Sequence, residues 1–191
     1  MLRSLRRLCT ATAGGPEAVA RAVVGRLRDA ITNKDGAAYL SAFIPEPFTV
    51  CGHTADEGFK TVTLHNGSMF AALTSFTPPA ALYAEKMLAD LHQRDFSHTL
   101  MPLLSYRSPS EEEVLAVVGV ERFDSSGAVF QKLGACYSIV RVPEPSEPER
   151  AWLVRAVWSW EEPTAPPPEL VEELQLDRFQ TVAAPAEDEP R

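Results

Sequence analysis

Cysteine is scarce: there are three in 191 residues, at positions 9, 51 and 136, an odd number with no Cys-x-x-Cys pair. That excludes a disulfide framework and the common zinc and dithiol motifs, and it fits a reducing compartment. The four histidines, His53, His65, His92 and His98, lack the i, i+4 spacing of a helical metal site, so neither metal nor cofactor is expected. No apolar run approaches the roughly 20 residues of a membrane helix, so no membrane span is expected. Lysine and arginine are scattered, apart from the extreme N-terminus, and a surface without a basic patch does not neutralise phosphates, so nucleic acid is not an expected partner. No catalytic signature stands out.

The charge that is present is uneven. Of 26 acidic residues, nine fall between Glu161 and Arg191, against only Arg178 and Arg191, while the whole chain carries −8. Residues 162–191 also hold six prolines and read as a Pro-rich acidic tail, mostly disordered and dispensable for folding. Its one helical stretch is ELVEELQLDRF, which would dock, if it docks, through Leu170, Leu174 and Phe179. The other end, MLRSLRRLCTATAGG, has Arg3, Arg6 and Arg7 beside Leu2, Leu5 and Leu8 and no acid before Glu17. Amphipathic, arginine-rich and acid-poor starts of this kind are mitochondrial transit peptides, so residues 1–15 are expected to be an import signal and linker, and the matrix the destination.

Residues 16–161 read as one domain. Pro16 opens a helix in which Val19, Val23, Leu27 and Ile31 recur every four residues. Asp35 caps a short second helix, GAAYLSAF, that stops before Pro45. FTVCG and FKTVTL are short strands, and Asn66-Gly67 is a tight-turn pair leading to SMFAAL. Thr77-Pro78 starts a third helix with an apolar stripe of Leu82, Met87, Leu88 and Leu91. From Phe96 the pattern is strand: SHTLMPLLSYR, EVLAVVGVERF, AVFQKLGACYSIVRV and AWLVRAVWSW, with Pro102 at a bulge or an edge. The order predicts an α+β domain, a curved antiparallel sheet covered on one face by three N-terminal helices.

RLRDAITNKDGAAYLSAF resembles the opening helix pair of the nuclear transport factor 2-like superfamily, which includes SnoaL-like and ketosteroid-isomerase-like proteins. VERFDSSGAVFQKLGACYSIVRV and AWLVRAVWSW are similar to its closing strands, with Trp152 and Val154 where many members carry a tryptophan and a β-branched residue. The resemblance covers residues 16–161 and implies a cone-shaped, cystatin-like sheet whose helices leave a pocket at the wide end. Enzymes, binding proteins and assembly domains share that cone, so it does not choose among them.

Four residues are candidates for the pocket: His98, Tyr106, Tyr137 and Trp158. Strand alternation puts Trp152, Val154, Ala156, Trp158 and Trp160 on one face, which the resemblance turns inward, so that Trp158 either stacks a ligand or fills the core. Tyr137, with Leu133, Ala135 and Ile139, is either a pocket donor or a satisfied core residue. His98 and Tyr106 share a face with Phe96, Leu100 and Leu104, and a neutral imidazole there could act as a base. Glu121 is the single carboxylate in a strand interior, but no acid and base can be named together. The expected function is binding a small apolar ligand or a protein partner without catalysis; the alternative is an isomerase, dehydratase or cyclase acting on a small apolar substrate. Both faces of the strand from Val114 to Phe123 are apolar, so the outer one needs a cover: a second copy, giving a homodimer through the sheet, or the C-terminal segment of the same chain.

Overall fold

The computed structural model describes residues 15–45, 47–54, 58–67, 77–143, 145, 150–161 and 166–183. The transit-peptide expectation and the SMFAAL segment lie outside them.

Helix α1, Pro16–Thr32, starts with proline in its first turn and buries Val19, Val23, Leu27 and Ile31, the four-residue stripe seen in the sequence. Lys34 takes a left-handed backbone, φ 55°, and turns the chain into α2, Gly36–Ser41. The Asp35 carboxylate accepts from Ala38 N at 2.9 Å and so caps that helix as expected. Helix α3, Ala80–Gln93, differs from its predicted stripe: Ala80, Ala84 and Leu91 are buried, while Leu82 is 54% exposed. The small alanines let α3 lie close, and that rotates Leu82 out to solvent.

The sheet has eight strands: β1 Pro47–Thr54, β2 Gly58–His65, β3 Phe96–Leu100, β4 Leu103–Ser110, β5 Glu113–Asp124, β6 Val129–Arg141, β7 Trp152–Glu161 and β8 Gln180–Thr181. Their order is β2-β1-β7-β6-β5-β4-β8, with β3 also paired to β5. The long strands meander antiparallel as predicted, and β1 runs parallel to β7 through Thr49↔Ala156 to His53↔Trp160. SHTLMPLLSYR is two strands, not one. Pro102 has no N–H to give the ladder, and the chain breaks at Met101-Pro102. Asn66 tethers the end of β2: its Nδ2 donates to the carbonyls of Leu40 (2.8 Å), Ile44 (3.2 Å) and Phe43 (3.3 Å) at the end of α2.

Two apolar clusters lie on opposite faces of the sheet. The larger packs α1, α2 and α3 onto the inner face, with Phe43, Val114, Ala116, Val118, Val120, Tyr137, Ile139 and Val154 among its members. The smaller, on the outer face, joins Leu115, Cys136 and Trp160 to Leu170 and Leu174 of a fourth helix, α4, Pro168–Leu174. This corrects the disordered-tail expectation for residues 166–183. The prolines open a helix instead of preventing one, since Pro168 sits in its first turn. Two leucines four residues apart then face the sheet, and β8 adds a strand to β4 through Ser105↔Thr181 and Tyr106↔Gln180. The helix supplies within one chain the cover that a homodimer would otherwise provide, so the apolar outer face no longer requires a second copy.

Gly134 fits this arrangement through its lack of a side chain. The Trp160 ring lies across it, and a Cβ at Gly134 would meet Trp160 Cε2 at 2.1 Å. The indole thus lies flat on the outer face and becomes part of the floor on which α4 sits.

Candidate functional site

Alternation along β5 continues the inner set Val114, Ala116, Val118 and Val120 to Arg122. Across the ladder Arg122 pairs with Gln131 and Ala116 with Tyr137, so β6 presents Gln131, Leu133, Ala135, Tyr137 and Ile139 to the same side. A charged guanidinium therefore stands on an otherwise apolar inner face. Its Nη1 donates to Gln131 Oε1 at 2.7 Å; its Nε is buried and has no acceptor among the described residues.

Three tyrosines from three elements feel this charge: Tyr39 of α2, Tyr83 of α3 and Tyr137 of β6. Burial pushes the Tyr137 phenol up to about 12, only partly offset by Arg122, and raises Tyr39 and Tyr83 as well. All three are neutral phenols near pH 7 and able to donate. Burial draws the Arg122 guanidinium down, the tyrosines oppose that, and Arg94 adds to it. Arg94 itself lies over the Phe130 ring at 5.9 Å. Tyr83 is 39% exposed, which leaves the cluster a side open to solvent.

Of the predicted pocket residues, two face inward. Tyr106 and Tyr137 both pair with Ala116, from opposite sides, and pack on the inner cluster. The other two are turned out by irregularities in the ladder. A register shift between Phe96 and His98 leaves Phe96 in the core and sends His98 to the outer face, where it stacks on Phe123 at 4.6 Å and 4°. Its Nδ1 lies 3.2 Å from Ser97 Oγ. On β7 the register shifts where Ser138 pairs with Ala156 but Ile139 with Val154, so Arg155 is an extra residue. Val154 points inward, whereas Trp158 and Trp160 join the outer cluster. A bulge inserts one residue and so reverses the face of all that follow.

Glu121 also faces out and meets Lys132 Nζ at 2.6 Å. Arg155 does not extend the inner site either: it holds Glu113 Oε1 at 2.6 Å on the outer face, where Ser138 Oγ also donates to that oxygen at 2.8 Å. Trp158 does line a hollow of about 720 Å³, but that hollow is a trough between β1, β7 and the α4 residues Glu169 and Glu173, with Cys51 and Thr61 in its floor. A second hollow, about 370 Å³, lies between Arg21, Gly25 and Arg28 of α1 and the Leu100–Leu103 bend. Among the described residues no cluster of three His, Cys, Asp or Glu side chains could hold a metal, and no helix is long and apolar enough to cross a membrane. Arg122, Tyr39 and Tyr83 were not among the candidates read from sequence. Arg122 carried a signal nonetheless, since it extends the Val114-to-Val120 set by one step.

No protein-family model matches the chain, and no curated protein matches it. Solved structures do. A cystatin-like domain of unknown function from Nostoc punctiforme superposes with a TM-score of 0.55 at 12% identity, covering 87% of this chain and 86% of that one. ActVI-ORFA from Streptomyces coelicolor gives 0.53 at 13% identity over 78% of this chain and all (100%) of its own. A ketosteroid isomerase-like protein from Erwinia carotovora gives 0.51 at 8% identity, covering 79% and 99%. These likenesses, together with the element order and the helix-covered curved sheet, show that the chain has the cystatin-like fold expected from its sequence.

Proposed function

We propose that the protein is a binding domain that holds a small, largely apolar molecule against the inner face of its cone, at Arg122 and the tyrosines around it, without transforming it. The observation that carries this reading is the buried Arg122 Nε, without an acceptor among the described residues, on an apolar, helix-covered face. A buried polar group normally has a partner, and a site of a few convergent donors on an apolar wall is how small molecules are oriented. The absence of catalysis is supported by where the candidate bases point. Glu121 is engaged with Lys132, and His98 is stacked on Phe123, both on the far side of the sheet from Tyr137. A mitochondrial address remains part of the proposal on the strength of the arginine-rich start, and an endogenous chain beginning at Met1 would remove it.

Titration of the full chain with N-phenyl-1-naphthylamine, a neutral apolar dye, tests the location. Saturable one-to-one binding is expected, weakened at least fivefold by Tyr83→Ala and unchanged by Trp158→Ala. Absence of saturable binding, or dependence on Trp158 instead, would contradict the inner site.

A further inference from the structure

We propose that the ligand of the inner face is an anion, a carboxylate borne on an apolar body, and that Arg122 is the group that grips it. This rests on the inner face being the ligand site and adds the charge of what binds there.

Arg122 is held at one end only. Its Nη1 bonds a neutral amide oxygen, Gln131 Oε1 at 2.7 Å, and its Nε is left unpartnered among the described residues. A guanidinium has five donors and no acceptor and keeps its charge at neutral pH. Charges drawn out of water are usually paired, and no acid lies against this half-buried one among the described residues. The acidic side chains closest to it in sequence, Glu121 and Asp124, and Asp95 next to Arg94, are committed elsewhere. Glu121 faces outward to Lys132 at 2.6 Å. The Asp124 carboxylate accepts from Ser126 N (2.9 Å) and Ala128 N (3.0 Å) within its own turn. Asp95 accepts from Ser125 Oγ. The other groups whose charge reaches Arg122 are three phenols and a second cation, Arg94.

Among the described residues, the inner face thus combines a positive charge that no carboxylate meets with neutral phenols and one amide. Water could solvate the Nε but would leave the charge uncancelled. A carboxylate does both: it accepts from the planar fork in charge-assisted bonds, and its second oxygen remains for a phenol. The aromatic faces of Tyr39, Tyr83 and Tyr137 offer the apolar body a place to pack.

The test is calorimetric titration of the full chain with 2-naphthoate and with 2-naphthamide, which share a shape and differ in charge. Naphthoate should bind at least tenfold more tightly. Arg122→Gln should bring the two within about twofold of each other, while Arg122→Lys, a point charge without the fork, should keep part of the preference; thermal unfolding of each variant checks that it folds. If Arg122→Gln does not fold, the matched pair on the unaltered chain decides alone. Equal binding of the two probes, or a preference that survives Arg122→Gln, overturns the anion and leaves the inner site as one for neutral ligands. Rejection of naphthoate by a chain that takes N-phenyl-1-naphthylamine overturns it too, and rejection of all three probes removes the inner site itself.

Discussion

Removing residues 166–191 should lower the stability of the domain by about 4 kcal/mol, since two buried leucines at roughly 2 kcal/mol each leave with α4. Leu170 is 1% exposed and Leu174 7%, and both pack on Leu115, Cys136 and Trp160. Truncation also returns the edge of β4 to solvent by deleting β8. For a chain of this length the fall corresponds to about 10 °C in melting temperature. The newly bare apolar patch should drive self-association as well. Leu170→Asp should reproduce most of the effect without shortening the chain, because the carboxylate would have to be buried unpaired or α4 would have to lift off. Glu173→Ala, exposed on the same helix, should stay within about 0.5 kcal/mol of the parent. Thermal unfolding with light scattering checks all three. A truncated chain that melts within about 2 °C of the parent and stays monomeric would return these residues to the status of a dispensable tail.

Arg122→Met should do the reverse and raise the stability of the ligand-free protein, by about 2 kcal/mol. Replacing a half-buried, poorly compensated charge by an apolar side chain of similar length removes its desolvation cost and the buried Nε that has no acceptor among the described residues, and such replacements are commonly neutral or stabilising. The bond to Gln131 is lost, but Gln131 is only half-buried and can turn to water. A residue kept at the expense of stability is the mark of a site shaped by binding. Chemical denaturation in the absence of ligand measures the change. A loss of 2 kcal/mol or more on Arg122→Met would show instead that the arginine is a structural brace for the helices, and the reason for placing a ligand beside it would go.

The division between what could and could not be read from sequence follows sequence separation. Helices α1 and α2 were legible because their signals are local: leucine and valine every fourth residue, and Asp35 three residues before the amide it caps. The inner set of β5 was legible as an alternating row. Which way each row faced was not, because facing is inherited along a strand and one extra residue reverses it. The register shifts at Ser97 and Arg155 fall at residues with no glycine or proline to mark them, and they moved His98 and Trp158 to the outer face. Tyr137 lies on a stretch of β6 with no such shift between it and Gln131, and its facing followed the alternation. Arg122 was visible in the row but carries no motif, since its setting is made by Tyr39 and Tyr83, both tens of residues away in the chain. The tail misled for a different reason. Proline and acid dominate its composition, whereas its docking depends on two leucines whose partners, Leu115, Cys136 and Trp160, lie on three different strands.

The central claim is that ligand meets the inner face at Arg122 and not the outer trough at Trp158. Nitrogen-15 NMR reads both places in one spectrum, through the Arg122 Nε–H and the Trp158 indole N–H, assigned by Arg122→Lys and Trp158→Phe. On adding 2-naphthoate, the Arg122 Nε–H signal should shift as it gains a carboxylate acceptor, while the Trp158 indole signal stays in place. A shift of Trp158 with Arg122 unmoved would contradict the account.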